Sequence, residues 1–206
     1  MNMIQSRRDD DKARRREEII DAAETLARQK GWDQVTVGSV AKQARLSRAL
    51  VYIYFENKRD LHAALSDRAK DALYKIFKEA VSNHSGLDRF RAVGMAYLDF
   101  ANTQPHYVEA LIHFEASAVD EGQEPQTHYP SMRNNKVIQL IAHTLAEEID
   151  AGNVRSDVGD LTLVALNMWA FTHGLIQISA TRQADSISSQ QLAEQAMTMI
   201  RRMLEP

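Results

Sequence analysis

Apolar residues recur along this chain at intervals of three and four, and almost nowhere alternate with polar ones over a useful length, so the pattern predicts helices throughout and no sheet. Ile19, Ala23, Leu26 and Ala27 mark the buried face of a first helix over Lys12 to Lys30, and Gly31 stands where such a helix stops. Thr36 can cap a second helix of about two turns, with Val37, Val40, Ala41 and Ala44 as its apolar stripe. Ser47 can cap a third, in which Leu50, Val51 and Phe55 suit burial. Asn57 caps a fourth, with Lys58 beside the chain entry and Asp60 at the position the helix dipole favours for an acid. That helix is long, reaching about Asn83 with Leu61, Leu65, Ala69, Leu73, Ile76 and Phe77 on its buried side.

Further helices follow from Leu87 to Thr103 and from Pro105 to about Ser117. Residues 118–130, with two prolines and a glycine in VDEGQEPQTHYP, read as a loop. Ser131 to Ala151 is helical and stops at Gly152-Asn153, and Val158 to Ala180 and Ser188 to Leu204 complete about nine helices. The fold class is all-α, with residues 1–60 as a three-helix unit and 61–206 as a larger helical domain.

The crowding of three helix starts between Thr36 and Leu61 carries the chemistry. Helices this short bury little of their own surface, and two of them joined by a tight turn form the helix-turn-helix arrangement, whose second helix enters the major groove of DNA. Arg48, Tyr52 and Tyr54 carry donors on long or flat side chains along that second helix.

The run LSRALVYIYFENKRDL, preceded by a helix opening on Thr36, resembles the DNA-binding region of the tetracycline-repressor (TetR) family of transcriptional regulators. Ser47, Arg48, Ala49, Tyr52, Tyr54, Phe55 and Lys58 fall in order on the family's pattern. The resemblance implies that Thr36, Ser47, Tyr52, Tyr54 and Lys58 hold phosphates of a double-stranded DNA operator, that Arg48 and Ala49 face base edges, and that Phe55 is core. The sequence departs from the family at Ala49, often glycine, and at Arg45, where the turn usually has glycine. Either Arg45 adopts positive φ at a cost of roughly 1 kcal/mol or the turn is shaped differently.

Charge changes the picture once it is divided along the chain. The formal net charge is −3, yet residues 1–60 hold 13 Lys or Arg against 10 Asp or Glu, while the remainder holds 12 against 18. The basic excess lies with the motif, where local cations decide affinity for DNA. Arg7, Arg8, Lys12, Arg14, Arg15 and Arg16 read either as an arm or first-turn patch touching DNA backbone or minor groove or, interrupted by Asp9 to Asp11, as a frayed, solvated terminus. A hydrophobic content of 44% supports a real core, and the lack of cysteine excludes disulfides and thiolate metal sites, as suits a reducing cytoplasm. The start MNMIQSRRDDDKARRREE has no apolar signal core and no run is read as long enough to span a bilayer, so a soluble, cytoplasmic protein without a membrane partner is expected.

The second part carries the remaining expectations. AGNVRSDVGDLTLVALNMWAFTHGLIQI looks like the segment entering the eighth helix of many family members, and the resemblance implies a homodimer through the last two helices. Leu161, Val164, Met168, Trp169, Phe171, Leu175, Ile176 and Ile178 spread around more of one helix than a one-sided face needs, and Met197, Ile200, Met203 and Leu204 offer another stripe. Such a dimer sets two recognition helices about 34 Å apart on a palindromic operator. The resemblance also implies a small-molecule pocket among the middle helices, for which the candidates are Tyr97, Phe100, Tyr107, His113, Phe114, Met168, Trp169 and His173. His113 has neither with Glu115 nor with His106 a spacing that sets two ligands on one metal, and no metal or cofactor is expected. GxSxG, GxGxxG and HExxH are absent, so no enzyme is expected. The leading expectation is a ligand-released repressor. The alternative is a helical small-molecule-binding or interaction module whose DNA end is vestigial, with no salt-sensitive binding to its upstream DNA.

Overall fold

The computed structural model describes residues 3–120, 135–180 and 188–206, with side chains left out for 3–7, 113–120, 179–180 and 189. The expected loop over 118–130 and the helix start at 131–134 lie largely outside the described residues, as do the side chains of His113 and Phe114. Among the described residues there are helices α1 (Met3–Lys30), α2 (Val37–Gln43), α3 (Arg48–Tyr54), α4 (Lys58–Ser82), α5 (Asp88–Thr103), α6 (Pro105–Asp120), α7 (Lys136–Asp150), α8 (Leu161–Ala180) and α9 (Ser189–Leu204). A 3₁₀ turn at Trp32–Gln34 joins α1 to α2, and no strand occurs among these residues.

The chain divides into two compact units. The first holds residues 1–69 together with 104–122, and the second holds 70–103 with 123–206. α4 begins in the first and ends in the second, and between α5 and α6 the chain passes from one to the other at a single residue, Gln104.

Burial builds the first unit. Ile19, Ala23 and Ala27 of α1 pack with Val35, Val40, Val51, Phe55, Leu61 and Leu65, all nearly inaccessible to solvent. α1 stops at Gly31, whose φ of 78° is open to glycine and strained for other residues, and whose N–H donates to Ala27 O at 2.8 Å. Polar links then fasten α4 and α6 to α1. Arg68 Nη1 donates to Asp21 Oδ1 at 2.6 Å and Glu24 Oε2 at 2.8 Å, and its Nη2 donates to Glu17 Oε2 at 2.6 Å. From α6, Glu109 Oε1 accepts the Trp32 N–H at 3.1 Å.

In the second unit α5, α7, α8 and α9 pack around Phe77, Tyr97, Phe100, Ile138, Leu145, Ala165 and Leu204. Asp160 starts α8, its Oδ1 accepting the N–H groups of Thr162 at 2.9 Å and Leu163 at 3.1 Å. Ser188 starts α9 through a capping box with Gln191.

Three expectations are corrected. α1 begins at Met3 rather than Lys12, and around the expected start acids pair with the basic cluster along the helix: Arg14 donates to Asp11 at 2.8 Å and Arg15 to Glu18 at 2.5 Å. Neither a free arm nor a frayed end describes the part from Lys12 to Arg16. Leu161–Ile178 is, contrary to the sequence reading, long and apolar enough to cross a membrane by length and composition, with mean hydropathy 1.3 over 18 residues. The stripe on α9 also splits, since Met197, Ile200 and Leu204 are buried in the second unit while Met203, at the flank of that stripe, is exposed.

Candidate nucleic-acid interface

The helix pair is built by its caps. Thr36 Oγ1 accepts the Ser39 N–H at 3.1 Å, and Ser39 Oγ accepts the Thr36 N–H at 3.0 Å, a reciprocal capping box. Ser47 Oγ accepts the Leu50 N–H at 3.1 Å. Asn57 Oδ1 accepts the Asp60 N–H at 2.9 Å, and Asp60 Oδ2 accepts the Glu56 N–H at 3.1 Å. Each hydroxyl used as an acceptor keeps its own hydrogen, so Thr36 and Ser47, both exposed, still have a donor to offer a phosphate.

The turn between α2 and α3 is a left-handed C-cap. Arg45 has φ 58°, its N–H donates to Lys42 O at 3.2 Å, and the Leu46 N–H reaches back to Ala41 O at 2.8 Å. Those two bonds form the Schellman motif that glycine usually closes, so of the two alternatives at Arg45 the strained one is found.

α3 turns Val51 into the core, half-buries Leu50 and Tyr54, and leaves Arg48, Ala49, Tyr52 and Ile53 on one exposed face. Tyr52 is 53% exposed and Ile53 is 70% exposed, the highest value among the exposed large apolar side chains of the described residues. Sequence reasoning missed Ile53; its signal is its place one residue after Tyr52, opposite the buried Val51. The Arg48 guanidinium lies across α2 at Gly38, where a side-chain methyl would sit 2.7 Å from Nη2. Tyr54 is half-buried, two residues on from the exposed Tyr52 and so on a different face of α3.

Lys58 is engaged within the protein. Its Nζ donates to the carbonyls of Trp32 and Asp33, each at 3.2 Å, and lies 5.2 Å from the Trp32 ring centroid. An ammonium has three donors, so one remains for a phosphate. Arg16 is similarly placed over the Phe55 ring at 5.0 Å.

The candidate pocket residues divide between the two units. Tyr97 and Trp169 stack at 5.0 Å and 12°, Trp169 and His173 at 5.3 Å and 24°, and the Tyr97 hydroxyl is hydrogen-bonded to His173 Nδ1. Burial alone pushes the His173 pKa down. Met168, Tyr97 and Trp169 line a small cavity of about 20 Å³, and Phe100 is buried in the second unit without lining it. Tyr107 belongs to the first unit, where it is hydrogen-bonded to Glu24.

Around Glu24 the first unit holds a chain of titratable groups. Burial would raise the Glu24 carboxyl, but hydrogen bonds from Arg68 and Tyr107 outweigh it and hold it below its ordinary value. His106 Nε2 lies 3.7 Å from Glu24 Oε1, too far for a hydrogen bond, and burial holds the imidazole below its ordinary value.

Residues 19–65 match the family described as "Bacterial regulatory proteins, tetR family", and residues 90–203 match "Tetracyclin repressor-like, C-terminal domain". The chain belongs to the tetR family. It is a DNA-binding transcriptional regulator, and α2 and α3 are its helix-turn-helix. YfiR of Bacillus subtilis, an uncharacterized HTH-type transcriptional regulator, is 25% identical over 201 residues, which cover 94% of each chain. The HTH-type transcriptional repressor KstR2 of Mycobacterium tuberculosis is 23% identical, with 90% of each chain covered. The crystal structure of RolR in complex with resorcinol shares the fold, with a TM-score of 0.73 at 15% identity over 95% of this chain and 89% of that one.

Proposed function

We propose that this regulator is a homodimeric repressor that binds a palindromic operator through α3 and is released by a small molecule held in its second unit. The exposed face of α3 carries the proposal. Arg48 and Ala49 face base edges there, Tyr52 and the hydroxyls of Thr36 and Ser47 hold phosphates with Tyr54 and Lys58 beside them, and Ile53 offers an apolar contact of the kind a thymine methyl accepts.

The dimer reading is supported by large apolar side chains that are exposed among the described residues. Leu163, Phe171 and Ile178 share one face of α8 at spacings of eight and seven residues, and Met199 and Met203 share one face of α9, all exposed. That face accounts for the membrane-like composition of Leu161–Ile178, only 28% of which is buried. A second copy related by a two-fold axis buries the same patch on both sides. The aromatic cavity supports the effector reading, as does the resorcinol held by RolR. An effector acts only through its different affinity for the two conformations, and among the described residues α4 and the Gln104 junction are two covalent routes by which the second unit reaches the first. The protein works where the operator is, in the cytoplasm.

Footprinting on the DNA upstream of the protein's own gene tests the reading. The expected result is protection of an inverted repeat whose half-sites lie about one DNA turn, roughly 34 Å, apart. The absence of any protected site, with the protein folded and dimeric, contradicts it and favours the module with a vestigial DNA end.

A further inference from the structure

Gly38 stands in the first turn of α2, where alanine and most other residues make a more stable helix than glycine does. Its backbone does not call for glycine, since its φ lies outside the positive range in which Gly31, Gly86, Gly152 and Gly159 are found. What the missing side chain leaves is room. A methyl at position 38 would stand 2.7 Å from Nη2, 2.8 Å from Nε and 2.9 Å from Cζ of Arg48, closer than a Cβ approaches any neighbour, and these are its three nearest atoms. The Arg48 guanidinium of the recognition helix therefore rests on the bare backbone of α2.

That seat holds Arg48 by packing alone. Arg14, Arg15 and Arg68 each donate to a carboxylate, whereas Arg48 forms no hydrogen bond and no ion pair among the described residues. A guanidinium carries five N–H donors in a fixed fork, and here they stay open. A neighbouring carboxylate would orient the side chain and occupy its donors at the same time; a glycine orients it and occupies none. The open fork matches O6 and N7 of guanine, the commonest specific contact in the major groove. A long side chain ordered before it meets DNA loses less rotamer freedom on binding, which strengthens the contact it makes.

We propose that Gly38 is a positioning residue for base recognition: by seating the Arg48 guanidinium it aims that side chain at one guanine in each operator half-site. This role rests on α3 being the DNA-reading helix, as proposed above, and extends base selection to a residue of α2 that has no side chain of its own.

The test uses the duplex that the full-length wild-type protein enriches from a randomised DNA pool. Each guanine in turn, in both half-sites, is replaced by 7-deazaguanine, which lacks only the N7 acceptor and keeps Watson–Crick pairing, and affinity is read by fluorescence anisotropy. In the wild type one guanine per half-site is expected to be sensitive, its replacement weakening binding by about tenfold. Arg48→Ala should abolish that sensitivity. Gly38→Ala should cut it to about threefold or less, because the arginine is still present but no longer seated. In the Arg48→Ala background Gly38→Ala should change neither affinity nor base preference, since nothing is left to seat, whereas a helix disturbed for its own sake would show the loss in both backgrounds. Gly38→Ser, which displaces the guanidinium with a different side chain, decides the matter if Gly38→Ala does not fold. A wild type without an N7-sensitive guanine, a sensitivity that survives Arg48→Ala or is undiminished in Gly38→Ala, or an equal loss from Gly38→Ala with and without Arg48 overturns the proposal. If the wild type enriches no sequence at all, the DNA-reading proposal itself fails; an enriched sequence whose N7 profile is common to wild type and Gly38→Ala removes only the role of Gly38.

Discussion

Arg45 is the one residue among those described, glycines aside, that is held at positive φ, and it sits in the turn on which the recognition helix is hinged. The strain is kept because the Schellman bonds to Ala41 and Lys42 fix the turn, and it costs about 1 kcal/mol relative to glycine. Arg45→Gly should therefore raise the stability of the first unit by about 1 kcal/mol in urea unfolding, with the turn unchanged. A loss of stability would mean that the exposed Arg45 side chain contributes more than its backbone costs. The caps at Thr36, Ser47 and Asn57 were legible in the sequence because each bond spans only three residues. The engagement of Lys58 was not, because its acceptors at Trp32 and Asp33 lie 26 and 25 residues away and come near only when α4 packs beside the 3₁₀ turn.

At the scale of helices, periodicity placed nearly every element, and it failed where polar pairs or distant partners decide. The first nine residues of α1 have no apolar period, and the docking of α6 in the first unit depends on Glu109, Tyr107 and His106 meeting residues more than 70 positions earlier. Two buried histidines, His106 in the first unit and His173 in the second, give a pH dependence whose sign follows from burial. His106 and His173 both titrate below their ordinary value of 6.5 in the folded protein, so each takes up a proton on unfolding. Their contribution is complete above pH 6.5 and is lost as pH falls below it; Glu24, held below 4.5, adds a loss of the same sign further down. The urea midpoint should stay level from about pH 8 to 7 and fall between about pH 6.5 and 5, and His106→Gln should flatten that fall. A midpoint that rises on acidification would contradict the burial argument.

For the whole molecule, the faces of α8 and α9 decide assembly. The sequence showed that α8 is apolar over most of its circumference, but only packing separates Trp169 and Ile176, which face the core, from Phe171 and Ile178, which do not. Phe171→Glu puts an unpaired charge on the exposed face while leaving the protomer core intact, and should weaken self-association by about a hundredfold or more in sedimentation equilibrium, with helicity unchanged. Undiminished association would place the interface elsewhere.

The claim on which the rest depends is that the outer face of α3 grips DNA. Tyr52 tests it most cleanly, since it is more than half exposed and its truncation leaves the core untouched, whereas Lys58→Ala would also release the carbonyls of Trp32 and Asp33. The measurement is the affinity of wild type, Tyr52→Ala and Arg48→Ala for the upstream operator across a salt series, by fluorescence anisotropy. Tyr52→Ala is expected to bind every sequence about tenfold more weakly. Arg48→Ala is expected to lower the preference for operator over unrelated DNA by about 1–3 kcal/mol and to flatten the salt slope by about one unit. Operator affinity, preference and salt slope unchanged in both variants would contradict the assignment of α3 as the DNA-reading helix.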